Sequence, residues 1–124
     1  MATLDLSRKE EEFGDSYEVS IKNYVHGKEG GVVLDMTGFP DDVVHMGHGV
    51  INDGTASAPN YKPQPIDGTL HTKLVGVVRS TTKKSMPSTG VMTHGTINSN
   101  ATKYPFNAAS LTALRDLGIY NQVD

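Results

Sequence analysis

Between residues 17 and 22, apolar Tyr17, Val19 and Ile21 alternate with polar Glu18, Ser20 and Lys22. This is the period-two pattern of a strand with one buried face. The turn-forming run His26, Gly27, Lys28, Glu29, Gly30 and Gly31 then predicts a reversal, with Val32, Val33 and Leu34 as the returning strand of a hairpin. Gly38, Phe39, Pro40, Asp41 and Asp42 punctuate the chain and mark a boundary between an extension, residues 1–39, and a body, residues 40–124. The body opens on a predicted strand over residues 43–51, whose Gly47 and Gly49 point to bulges or close backbone approach. Residues 52–65 read as a loop with a short extended piece at Tyr61, and Asp67 with Gly68 signals a turn. Residues 70–79 are the best strand in the chain. They are apolar on both faces around Val75, Val77 and Val78, which predicts burial on both sides. Residues 91–97, with Val91 and Ile97 at their ends, are the expected antiparallel neighbour across the loop of residues 80–89.

One helix is predicted near the end. Asn107 suits an N-cap, and Leu111, Leu114 and Leu117 recur at threefold spacing with Ala108, Ala109 and Ala113 between them. Gly118 falls where a left-handed residue terminates a helix, and Ile119 is placed to fold back onto the last turn. The element is about three turns long and docks by its leucine stripe. The fold class is therefore mainly β with one short C-terminal helix, and no repeat at solenoid periods interrupts it.

Residues 1–16 differ from all of this. Arg8, Lys9, Glu10, Glu11, Glu12 and Asp15 crowd around a single Phe13, so the segment reads as an N-terminal arm that orders only with a partner. The first ten residues lack the basic start and apolar stretch of a signal peptide. No run approaches the roughly 20 apolar residues of a membrane helix, and the expectation is a protein soluble where it is made, with no membrane partner. A length of 124 residues fits one domain, and 36% hydrophobic content with 6% aromatic residues supplies a modest core that an oligomer would enlarge. Cysteine is absent, which removes disulfides, thiol nucleophiles and Cys-ligated zinc. The net charge of -3 argues against nucleic-acid binding, because phosphate neutralisation needs a basic stripe.

Candidate chemistry is sparse. His45 and His48 form an H-x-x-H pair, but a three-residue step along a strand directs the rings to opposite faces, so they share an ion only if the chain turns at Gly47. His94 stands before Gly95 in a strand, where a structural hydrogen bond outweighs general-base work. No serine sits in G-x-S-x-G, and residues 27–31 lack the order of a phosphate-binding loop. The reading is a non-enzyme without a cofactor or a metal.

The order Val75, Gly76, Val77, Val78, then residues 90–98 reading GVMTHGTIN, then Leu111, Leu114, Leu117, Gly118 and Ile119 resembles the head decoration, or capsid cement, proteins of tailed bacteriophages, the family of the lambda head decoration protein. Gly49, Val50 and Ile51 with Tyr61, Lys62 and Pro63 extend the resemblance to residues 40–119. It implies a compact, small β-barrel-like domain of the β-tulip type with an extended N-terminal arm. It also implies a homotrimer on the outer surface of the virion's expanded head, bracing the shell against packaged DNA after synthesis in the host cytoplasm. The partner is then the major capsid protein, met by an arm that includes Tyr17, Val19, Ile21, Lys22 and Tyr24. Val75, Val77, Val91, Ile97, Leu111, Leu114, Leu117 and Ile119 form the body and subunit packing. Two other classes stand beside this one. One is a virion-displayed adhesion or carbohydrate-binding β-module, which calls for exposed aromatics on one face, against a chain with three Phe, five Tyr and no Trp. The other is a small metal-dependent β-barrel enzyme using His45, His48 and either His71 or His94.

Overall fold

Successive strand residues face opposite sides of a sheet, and the alternation of two apolar sets along the central strands produces a sheet buried on both faces. The computed structural model describes residues 20–28, 31–104 and 106–122. Its strands are β1 (Ile21–Gly27), β2 (Val32–Val33), β3 (Val43–Val44), β4 (Gly49–Asn52), β5 (Tyr61–Pro63), β6 (Leu74–Val78), β7 (Thr82–Lys83), β8 (Ser88–Thr89), β9 (Val91–Ile97) and β10 (Ile119–Asn121), with one helix, α1 (Ala108–Leu117). The main sheet runs β1-β9-β6-β4-β5, and β10 joins β9 in parallel. It is open, with β1 and β5 at its two ends, and the fold is mainly β. Two small ribbons, β2 with β8 and β3 with β7, flank it.

On β4, Val50 belongs to one cluster and Ile51 to the other; on β6, Val78 and Val77 divide the same way, as do Val91 and Met92 on β9. One face is covered by Val32, Leu34, Met36, Phe39 and Val44. The other is covered by Leu114 of α1 and by Ile119. The two-sided burial predicted from Val77 and Val78 has this origin.

Local signals fix α1. The Asn107 side chain accepts a hydrogen bond from the Ser110 N–H at 2.8 Å, a standard N-cap bond. At the other end Gly118 takes φ 108° and its N–H bonds the Arg115 and Leu114 carbonyls, the left-handed stop that a residue without Cβ makes cheaply. Ile119 is buried beside Leu114 as the first residue of β10, opposite Gly95.

Several expectations are corrected. The stretch predicted as one strand over residues 43–51 is divided into β3 and β4 by a turn in which Gly47 has φ 89°. The first part of the predicted strand at residues 70–79 is a 3-10 turn, His71–Lys73. The predicted hairpin does not form: β1 pairs antiparallel with β9, and β2 pairs with β8. Across the boundary expected at residue 40, Leu34, Met36 and Phe39 share a cluster with Val44 and Val50.

Candidate functional site

The residues expected to meet a capsid partner fall on two sides of Ser20. Tyr17 and Val19 lie outside the described residues. Ser20 is fully buried, with its hydroxyl donating to the Met46 carbonyl at 2.9 Å and its own carbonyl accepting from the Asn98 N–H at 2.7 Å. It anchors the point at which the chain enters the body. Ile21 packs against the Ile97 and Leu114 cluster, while Lys22 and Tyr24 are exposed. These three lie in β1, at one end of the main sheet. The Arg79 guanidinium lies 4.2 Å from the centre of the Tyr24 ring, a cation–π contact that holds the ring against the body. Register shifts break the β1–β9 ladder between Ile21 and Asn23, Tyr24 and His26, and His26 and Gly27. Such bulges twist an edge away from further pairing.

The predicted packing positions separate by depth. Val77, Ile97, Leu114 and Ile119 come together in one cluster, with Leu111 partly buried against it, and Val91 joins the opposite cluster with Val75 partly buried there. Leu117 departs from the stripe. It keeps 36% of its surface exposed and lines an open groove with His71, Leu74 and Ala113.

Among the described residues His48 is the most deeply buried ionisable group. The turn at Gly47 does bring the chain round between His45 and His48, but the His48 ring is committed inward. Its Nε2 lies 2.8 Å from the Gln64 carbonyl, and its ring packs edge-on against Phe39 and Tyr104 at 5.4 and 6.1 Å. The Gln64 side chain donates in turn to Ser110 Oγ of α1 at 2.8 Å, so this polar chain fastens the helix to the sheet. The bond to a carbonyl fixes Nε2 as the protonated nitrogen of the neutral ring. Beside it the Tyr104 hydroxyl donates to Asp41. That bond, aided by Lys103, holds the Asp41 carboxyl below its ordinary value; the same bond raises the Tyr104 phenol against the opposing pull of Lys103. Among the described residues no group of three or more His, Cys, Asp or Glu side chains is placed to hold a metal ion.

Burial holds the His48 imidazole below its ordinary value of 6.5, against opposing pulls from the Gln64 carbonyl and Asp41. Just below pH 6.5 the unfolded chain takes up a proton that the folded chain excludes. Stability present above that pH is therefore lost as the pH falls through the window down to the lowered native value. Denaturant melts at a series of pH values from about 7 to 5 should show this loss. His48→Gln, which keeps a donor but does not titrate, should flatten the profile; an unchanged slope would assign the loss to other groups. Asp35, Asp53 and Asp67, lowered by hydrogen bonds from Thr37, Lys73 and Thr69 respectively, act only below their ordinary 3.8.

A second surface feature was not legible in the sequence. Phe39, Ile51, Pro63, Ile66 and Leu70 line an open groove of about 480 Å³ between the loops flanking β5. Leu70 sits in the left-handed region at φ 59°, a conformation costing a non-glycine residue about 1–2 kcal/mol. The carboxylates at the rim are engaged within the chain: Asp53 pairs with Lys73 at 2.6 Å and Lys62 at 3.6 Å, and Asp35 accepts from the Thr37 N–H. The groove offers apolar contact area without an unpaired charge on Asp53.

No family model, curated protein or solved structure matches the chain. No helix among the described residues is long and apolar enough to cross a membrane.

Proposed function

We propose that the protein is a capsid decoration protein, which binds the major capsid protein on the outer surface of an expanded phage head as a homotrimer at local threefold positions and braces the shell. The observation that carries this reading is a convergence in space. The separate segments that resemble the decoration family, residues 75–78, 90–98 and 111–119, supply Val77, Met92, Ile97, Leu114 and Ile119 to one cluster. Segments spread over 45 residues of sequence thus meet in one cluster, with Val78 and Val91 of the same segments on the opposite face of the sheet. On this reading the open sheet is the wall of a small β-tulip-type barrel.

The bulged ladder of β1 also bears on where a capsid strand would add. An edge interrupted in this way is a poor template, so the augmenting segment lies before Ser20, in residues 1–19, where Tyr17 and Val19 keep the alternating pattern. An added strand contributes main-chain hydrogen bonds, and a trimer presents three such segments at once. The work done is mechanical: contacts across capsid subunits raise the force needed to part them.

The test is direct addition of purified protein to undecorated, expanded heads of its own phage. The expected result is saturable co-sedimentation and heads that keep their DNA at higher temperature. Folded protein that fails to bind expanded heads would reject the reading.

A further inference from the structure

We infer that His26 and His94 form a bidentate site for a divalent transition-metal ion, such as Zn²⁺ or Ni²⁺, on the exposed surface of the sheet. This stands apart from the capsid reading and rests on the register of two strands. His26 of β1 is directly opposite His94 of β9, and residues paired across antiparallel strands project to the same face. Their ring centroids are 5.8 Å apart, with the planes inclined at 58°. Two imidazoles bound to one tetrahedral ion at about 2.0–2.1 Å place their centroids roughly 5 Å apart. A closure of the pair by less than about 1 Å brings it to chelating separation.

The surroundings prepare one of the two nitrogens. Thr93 Oγ1 donates to the His26 carbonyl at 3.3 Å and lies 3.1 Å from His94 Nδ1. With its one proton used on the carbonyl, the hydroxyl can only accept from the ring. His94 Nδ1 therefore carries the hydrogen, and the Nε2 lone pair is left for a metal. A ring N–H held by a neighbouring oxygen is the usual support of a metal-bound histidine. Gly118 contributes space: a Cβ there would lie 2.5 Å from His94 Cδ2, so the imidazole lies over bare backbone. Both histidines are exposed, so water completes the coordination shell. Imidazole donors suit Zn²⁺, Ni²⁺ and Cu²⁺ over Mg²⁺ or Ca²⁺.

The position gives the ion a structural task. The β1–β9 ladder is interrupted immediately on either side of His26, and an ion held by both rings would clip the edge strand to the sheet at that weak point.

Isothermal titration of the full chain with Zn²⁺ alone, paired with thermal melts, tests the site. Saturable uptake of one ion per chain and a melting temperature that rises with Zn²⁺ concentration are expected. His26→Ala and His94→Ala should each weaken uptake roughly a hundredfold or more, the loss of one chelating arm. Thr93→Val should weaken it roughly tenfold, while His71→Ala leaves it unchanged. His26 is exposed at an edge, so His26→Ala keeps the test valid if His94→Ala misfolds. Absence of saturable binding, binding retained by His26→Ala, or binding lost in His71→Ala would each overturn the proposal.

Discussion

Leu114→Ala is expected to lower the stability of the protein by about 2–5 kcal/mol, and with it the melting temperature by roughly 10 °C or more. Leu114 has no exposed surface and packs with Ile51, Val77, Met92, Ile97 and Ile119, so its removal leaves a void walled by a rigid sheet that cannot collapse into it. α1 is ten residues long, too short to persist alone, and depends on this anchor and on Ser110. Leu117→Ala provides the contrast, because a side chain with 36% of its surface exposed borders an open groove and leaves no enclosed void; a smaller loss of about 1 kcal/mol is expected. Equal effects from the two substitutions would show that the helix does not dock by the Leu114 face. Calorimetric melts of both variants make the comparison.

Removal of residues 1–19 is expected to leave the melting temperature nearly unchanged while weakening attachment to expanded heads roughly a hundredfold or more, since three linked contacts are lost together. Every member of the two described clusters, from Ile21 to Ile119, remains in such a chain, as does the buried Ser20. Extending the deletion through Gly27 should behave differently. It strips β1 from β9 and removes Ile21 from the core, and the body itself should then melt earlier. Co-sedimentation with heads and calorimetry on the same two truncations separate attachment from folding. Full head binding by the first truncation would remove residues 1–19 from the contact.

Features encoded by neighbouring residues were legible in the sequence, and features created by distant pairing were not. Asn107 and Gly118 mark the ends of α1 because an N-cap and a left-handed stop act within one turn. Residues 74–78 and 91–97 declare themselves by apolar runs, and their antiparallel pairing through Val77 and Met92 needs only the connecting loop. The partner of β1 carries no such mark. Alternation at Tyr17, Val19 and Ile21 predicts a strand but cannot say that Ile21 meets Ile97, and the nearer residues 32–34 offered an equally apolar alternative. His26 was read as the start of a turn and His94 as a solitary ring, so their approach emerges only from the register. His45 and His48 drew attention by spacing, yet His48 is spent on the Gln64 carbonyl. Leu117 matches the stripe by period, and its exposure comes from the groove beside His71 and Leu74.

The pairing of β1 with β9 also sets a timetable for the chain as it is made. β1 is complete at Gly27, but the partner that receives it ends at Ile97. At synthesis rates of about 5–20 residues per second, β1 waits roughly 4 to 14 seconds before β9 exists, and longer before β9 clears the ribosome. β10, which lies along the other side of β9, comes later still, from Ile119 to Asn121. The sheet cannot be assembled from its N-terminal end inward. Its first strand is laid down on a β9 whose neighbour β6 is already made and whose neighbour β10 is still to come.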